Sequence, residues 1–191
     1  MTSMRVALTG SSSTGKTTLA VRLHANSEFR GRIPTYCSTD ARELLKSMGH
    51  GSIDEMQPEE LRDFREHYYL RKLEIEAPQD NFLTDRSFVD VAAYWIELDA
   101  VELSPAQRQP FVERCLRAAA AYDLHVYCPF GLIPFEPSMR RSRSQVLHRR
   151  VDRRIRGLLE VCRFKMICLA MLDFDERVAA VSRAIAQLEK R

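Results

Sequence analysis

The sequence predicts an α/β fold in which a parallel sheet of five strands is covered on both faces by helices. Three observations predict it. Short apolar segments alternate with longer amphipathic ones along the whole chain, the pattern of strands joined by helical crossovers. The first apolar segment runs through a glycine-containing loop straight into a helix. The chain has 191 residues, 45% hydrophobic and 29% charged, enough for one such core and slightly short for two, so 1–191 reads as a single domain.

In chain order, residues 4–9 read as a buried strand and 16–26 as the helix after the loop. Residues 33–37 are the second strand, after which Ser38, Thr39 and Asp40 offer N-caps for a helix stopped by Gly49. Pro58 suits the first turn of a long helix, whose Leu61, Phe64, Tyr68, Leu70 or Arg71, and Ile75 recur at roughly helical spacing. Residues 81–84 are a short strand and 88–98 a helix; Ser104 and Pro105 open the helix 104–121. A strand at 124–130 leads into a proline-rich turn, then a basic helix at 144–162, a strand at 164–170 and a closing helix at 174–190.

Several classes are disfavoured. The longest apolar runs are too short to span a bilayer, and the N-terminus lacks the long apolar stretch of a secretory signal, so no membrane partner and a cytoplasmic location are expected. Cys37, Cys115, Cys128, Cys162 and Cys168 are odd in number and form no Cys-x-x-Cys pair, which fits reduced packing residues better than a disulfide framework or a zinc site. The net charge of +3 is mild, but Arg140, Arg141, Arg143, Arg149, Arg150, Arg153, Arg154 and Arg156 face the single acid Asp152 within one segment.

The strongest motif is Gly10-Ser11-Ser12-Ser13-Thr14-Gly15-Lys16-Thr17-Thr18, which fits Gly-x-x-x-x-Gly-Lys-[Ser/Thr], the Walker A phosphate loop. Glycines allow backbone N–H groups to converge on a polyphosphate, Lys16 reaches its terminal phosphates, the Thr17 hydroxyl holds Mg²⁺, and the helix N-terminus adds a favourable dipole. The loop implies bound ATP and a P-loop fold, three layers in α/β/α order with strand order 2-3-1-4-5. Asp85 ends a short strand, where an acid meets the same Mg²⁺ if that strand neighbours the first. The competing reading is that Asp85 or Ser87 only caps the following helix.

Asp85-Arg86-Ser87-Phe88-Val89-Asp90-Val91-Ala92-Ala93-Tyr94 resembles the thymidylate kinase pattern Asp-Arg-Tyr-x-x-Ser-x-x-Ala-Tyr-Gln, and is similar to the Glu-Arg-Ser of deoxynucleoside kinases. The resemblance implies that Asp85 stands near Mg²⁺ and that Arg86 positions the phosphoryl acceptor, with Arg42, Glu43 and Asp90 as further acceptor contacts. Ser87, Asp90 and Trp95 depart from the thymidylate kinase residues. Across nearly its whole length the chain also resembles the ribosylnicotinamide-kinase-like P-loop proteins, small AAA-domain ATPases and kinases. That resemblance rests on the phosphate loop, Ala41-Arg42-Glu43, Tyr122-Asp123, Arg140 and Glu176-Arg177. Where that family commonly shows Asp-Gly-x-Arg, this chain has Pro137-Ser138-Met139-Arg140, and Thr39 stands in place of a glutamate.

By the same resemblance an acid after the second strand takes the acceptor's proton, and Asp40 is nearest; Asp40 with Glu43 equally makes a capping box. Residues 131–150 read as a mobile lid whose Arg140, Arg141 and Arg143 close over the transferring phosphate or the nucleotide. The arginines at 149–156 read mostly as a solvated helix face. Phe174 and Arg177 could flank the adenine, and the aromatics of the long helix could stack on a base. The reading is an ATP- and Mg²⁺-dependent kinase acting on a small nucleoside- or nucleotide-like acceptor. Two alternatives are a kinase of a modified base within DNA, held by the arginine segment, and a nucleotide-dependent switch or regulatory ATPase without an acceptor.

Overall fold

The structure is a computed structural model that describes residues 3–135 and 144–190. Strand β1 (Arg5–Thr9) lies at the centre of a five-stranded parallel sheet of order 2-3-1-4-5, as the sequence predicts. It is flanked by β3 (Phe82–Asp85) and β4 (Leu124–Tyr127), with β2 (Thr35–Ser38) and β5 (Met166–Cys168) at the edges. The register sets Leu8 beside Asp85, and Ser38 beside Asp85 on the other side. The C-terminal ends of β1, β2 and β3 therefore finish level with one another, and the chemistry-bearing turns leave from that edge.

Alternation along β1 explains why both faces are covered. Val6 and Leu8 enter one core with Leu19 and Leu23 of α1 (Lys16–Ala25), Phe29 of α2 (Ser27–Arg32), and Val181 and Ile185 of α8 (Phe174–Leu188). Ala7 enters the other, built by α3 (Ala41–Ser47), α4 (Pro58–Glu76), α5 (Phe88–Tyr94), α6 (Pro105–Ala119) and α7 (Gln145–Val161). Cys37, Cys115 and Cys128 are buried packing residues, whereas Cys168 is exposed.

Four departures from the expected elements have local causes. The short helix α2 takes the residues before Ile33, so β2 starts later than expected. β4 ends at Tyr127 because Pro129 has no N–H to continue the ladder. The buried stripe of α4 is Leu61, Phe64, Arg65, Tyr68, Tyr69, Lys72 and Glu76, while Leu70 is 50% exposed. It therefore carries charge inward, against the usual rule that such side chains stay outside. Finally, α5 does not run on as an α-helix to Leu98: Trp95–Asp99 widens into a π-turn, closed by the Ala100 N–H donating to the Trp95 carbonyl at 3.0 Å.

The π-turn aims two acids. Asp99 accepts from Arg65 Nε at 2.5 Å and Nη2 at 3.2 Å in a buried bidentate pair. Glu97 accepts from Arg150 Nε at 2.9 Å and Arg154 Nε at 2.8 Å, one turn apart on α7. The rest of α7 is amphipathic, burying Leu147, Val151, Ile155 and Leu159, with its arginines on the remaining faces. Among the described residues, no helix is long and apolar enough to cross a membrane.

Candidate active site

The phosphate loop links β1 to α1 in a conformation only its own residues tolerate. Gly10 and Gly15 have φ of +147° and +78°, and Ser13 also lies in the left-handed region at +59°. At Gly10 a Cβ would stand 2.4 Å from the Cys128 carbonyl oxygen, so no side chain fits. Lys16 is the first residue of α1, and its ammonium donates to the Ser11 carbonyl and, at 3.0 Å, to Thr14 Oγ1. Burial, with Arg86 nearby, lowers the Lys16 pKa to about 8, although Asp90 and Asp85 pull the other way.

Two predicted ligand contacts, Asp90 and Arg177, lie beneath the loop and bond its backbone. Asp90 is 1% exposed; its Oδ1 accepts from the Gly10 N–H at 2.8 Å and Thr9 Oγ1 at 2.9 Å, and its Oδ2 from the Ser87 N–H at 2.7 Å. It is a brace joining the phosphate loop to α5, which corrects the expectation of an acceptor contact. Ser87 is buried with it and caps α5 in a reciprocal capping box. Arg177 is fully buried; its Nε donates to the Met171 carbonyl at 2.8 Å and its Nη1 to the Thr14 carbonyl at 3.1 Å. It holds the loop from below, so of the expected adenine pair only Phe174 stands on the cavity wall.

Asp85 and Thr17, the two residues expected at a metal, stand in contact: Thr17 Oγ1 donates to Asp85 Oδ2 at 2.5 Å. Parallel pairing brings them together, because Asp85 sits opposite Leu8 and the next N–H, of Arg86, still bonds the Leu8 carbonyl at 3.0 Å. A hydroxyl and a carboxylate converging beside the loop are hard oxygen donors of the kind that would hold Mg²⁺. Arg86 then turns at φ +97°, a conformation costly for a residue with a side chain and concentrated at functional sites. Burial opposes the charge on Arg86, but Tyr94, Tyr68, Asp90 and Asp85 outweigh it and hold its pKa above the usual arginine value.

Two cavities adjoin here. One, of about 430 Å³, follows the phosphate loop from Ser12 to Thr18 and is bounded by Arg42, Ile133, Pro134 and Phe174. The other, of about 300 Å³, is walled by Thr39, Asp40 and Arg42, by Phe64, Arg65 and Tyr68 of α4, and by Tyr94 and His148. Ser12, Thr17, Arg42, Asp85 and Arg86 line both, and so form a shared wall. Asp40 is both a helix cap and a cavity residue. Its Oδ1 caps α3 by accepting from the Arg42 and Glu43 N–H groups at 2.8 and 3.3 Å, and the residue also lines the second cavity. Glu43 is on the exposed side of α3.

The lid arginines Arg140, Arg141 and Arg143 lie outside the described residues. Arg150 and Arg154 are spent on Glu97, and Arg156 pairs with Glu160 along the helix. Sequence reasoning missed the network behind Arg86. Lys72, fully buried, bonds Glu76 and, at 2.8 Å, Thr84 Oγ1; Tyr122 Oη donates to Glu76 at 2.7 Å; Thr84 Oγ1 donates to the Arg86 carbonyl at 3.4 Å. A Lys-x-x-x-Glu pair in line with Leu61, Phe64 and Tyr68 was the available signal. His148 gives none, since it reads as an ordinary helix residue until α5 and α7 are packed together, and Tyr94 shows only as the tyrosine of the Ala-Tyr resemblance. His67 is exposed, its ring nitrogen on the Asp63 carbonyl at 2.8 Å.

A glycine-built phosphate cradle, a Thr–Asp oxygen pair beside it and a second cavity across a shared wall define a P-loop nucleotide-binding protein. The family model described as AAA domain matches residues 5–177, and the chain belongs to that family. No curated protein matches it. Among solved structures, it is similar to the NadR protein in complex with NR at 20% identity and a TM-score of 0.65, covering 95% of this chain and 51% of that one. This chain thus spans about half the length of NadR. It is also similar to thymidylate kinase from Candida albicans, at 12% identity and a TM-score of 0.69, over 98% of this chain and 93% of that one. Deoxyadenosine kinase from M. mycoides with bound dATP gives 12% identity and a TM-score of 0.64, over 96% and 100%. At these identities the likeness is one of fold.

Proposed function

We propose that the protein is a kinase that transfers the γ-phosphoryl group of Mg·ATP to a small nucleoside- or nucleotide-like acceptor. The observation that carries this is the wall shared by the two cavities: a nucleotide in the phosphate loop and a molecule in the aromatic cavity would meet at Thr17, Asp85 and Arg86. The solved structures that share the fold include a thymidylate kinase, a deoxyadenosine kinase with dATP and NadR with NR, which supports an acceptor of nucleoside type.

In this reading the loop amides and Lys16 hold the polyphosphate, and Lys16 stays protonated there to offset charge on the transferred group. Mg²⁺, held by Thr17 and Asp85, supplies further charge neutralisation when bound. Arg42 and Arg86 position the acceptor, with Phe64, Tyr68 and Tyr94 as its apolar surroundings. With a hydroxyl acceptor, its oxygen bonds to the γ-phosphorus, its proton passes to Asp40, and the bond to the β,γ-bridging oxygen breaks to release ADP; a phosphate acceptor attacks as its anion and needs no base.

The test is transfer of labelled phosphate from ATP to a panel of nucleosides, nucleotides, ribosylnicotinamide and oligonucleotides bearing modified bases, at low and moderate salt. Transfer to a free small acceptor is expected, and Asp85→Asn should lower it about 10²–10³-fold while leaving the melting temperature within a few degrees of wild type. Near-normal turnover by that variant would remove Asp85 from the chemistry. ATP hydrolysis indifferent to every acceptor would make the protein a regulatory ATPase. Transfer only to oligonucleotides, with steep salt dependence, would make DNA the substrate.

A further inference from the structure

Tyr94 touches three separate parts of the molecule. Its hydroxyl receives the Ser12 N–H at 3.3 Å, lies 2.9 Å from Ser12 Oγ, and lies 3.4 Å from Nδ1 of His148. Its ring is faced by two guanidinium groups, that of Arg65 at 5.0 Å from the centroid and that of Arg86 at 5.7 Å. All five residues line the acceptor-side cavity, and Ser12 also lines the phosphate-loop cavity. His148, 1% exposed, sits in the first turn of α7, against the rings of Phe130 and Phe135 at 6.0 and 5.4 Å.

The hydrogen-bond arithmetic at Tyr94 links these contacts. A phenol has one proton and two lone pairs, so the contacts to Ser12 N, Ser12 Oγ and His148 Nδ1 use its capacity in full. The direction of one therefore decides the direction of another. If Tyr94 donates to His148, Ser12 Oγ must donate to Tyr94; if His148 Nδ1 carries the proton, Tyr94 is released to donate to Ser12. The phosphate loop and the start of α7 are thus joined through a single oxygen, on a ring that forms part of the acceptor cavity.

We propose that Tyr94 and His148 together are positioning residues that set Ser12, and with it the phosphate loop, so that the donor cavity responds to the packing of α7 and to what lies against the Tyr94 ring. This rests on the nucleotide-binding reading but goes beyond it, since neither residue need touch ATP. Arg65, tied to Asp99, and Arg86 keep the ring from swinging away, so removing the hydroxyl alone leaves the cavity wall in place.

The experiment is a double-mutant cycle read by titration calorimetry of the whole chain with Mg·ATP, which needs no knowledge of the acceptor. Tyr94→Phe and His148→Leu should each weaken Mg·ATP binding about fivefold, the worth of one net hydrogen bond. The double variant should be no weaker than Tyr94→Phe, because both changes break one chain. His148→Asn, whose amide can place an acceptor or donor where Nδ1 stands, should restore affinity to within about twofold of wild type. Independent, multiplying losses, or wild-type affinity in Tyr94→Phe, would overturn the inference while leaving the kinase reading intact. Failure of the wild-type chain to bind Mg·ATP would overturn both.

Discussion

The two cavities on either side of Asp85 and Arg86 are built by opposite means. The side proposed to hold the phosphoryl donor is made of backbone: consecutive residues from Gly10 to Thr18, glycines at positive φ, and a helix N-terminus. The acceptor side is made of side chains from α3, α4, α5 and α7, elements far apart in sequence. Polyphosphate is a constant ligand that oriented N–H groups can hold in any such protein, whereas the acceptor varies and is read by the side chains around it. The donor side is therefore fixed by local conformation, and the acceptor side by long-range packing.

That contrast can be broken from either end. The largest effect is expected behind the acceptor wall, where Lys72→Ala strands the buried Glu76 carboxylate and should cost about 3–5 kcal/mol of stability in chemical denaturation. Replacing the bonded set by Lys72→Met, Glu76→Leu and Tyr122→Phe, so that the Tyr122 hydroxyl is not stranded, should return most of that stability, since isosteric apolar groups often equal buried ion pairs. If acceptor turnover stays low in this restored protein, the network serves Arg86 through Thr84; if turnover recovers with stability, the network is only structural. On the donor side, Gly10→Ala must displace the Cys128 carbonyl and take a φ that alanine avoids. Mg·ATP affinity in calorimetry should fall on the order of 100-fold with little change at the acceptor cavity. Equal losses on both sides would show that the two are one cooperative unit.

The smallest effect is in the phosphate-loop cavity, at Lys16. Because the unliganded Lys16 pKa lies at about 8, below its ordinary value, the ammonium is charged below that pH and increasingly neutral above it. A bound polyphosphate favours the charged form, so Mg·ATP affinity should be level below pH 8 and fall by up to about tenfold per unit above it. Calorimetry in buffers of different ionisation enthalpy should register proton uptake on binding in that upper range. A flat profile would show either that burial does not depress Lys16 in the free protein or that Lys16 does not contact the nucleotide, and Lys16→Met calorimetry would separate the two.

The same contrast governs how much could be read in advance. The strand order, the phosphate loop and the Thr17–Asp85 pair follow from contiguous motifs, and parallel pairing of β1 with β3 delivers them together. The spacing of Asp90 and Arg177 gives their place in the chain but not their depth; only packing shows them under the loop. The acceptor wall was the least visible. Phe64, Tyr68 and Tyr94 are ordinary core aromatics by periodicity, and it is the crossing of α4, α5 and α7 that gathers them. Lys72 and Glu76 broke the rule that charges face outward, so the residues that violated the pattern were the informative ones.

The π-turn at 95–99 has a consequence for the phase of the chain. One extra residue in a helical turn rotates all that follows by about 100° relative to an α-helix. Without it, Glu97 and Asp99 would point in other directions, Arg65 would lose its buried carboxylate, and Arg150 and Arg154 would stand as unneutralised charge along α7. A single residue of surplus length thus sets both the charge balance along α7 and the place of the guanidinium over Tyr94. In family comparisons, a one-residue deletion in this segment is therefore a change of surface and of site, not a loop-length polymorphism.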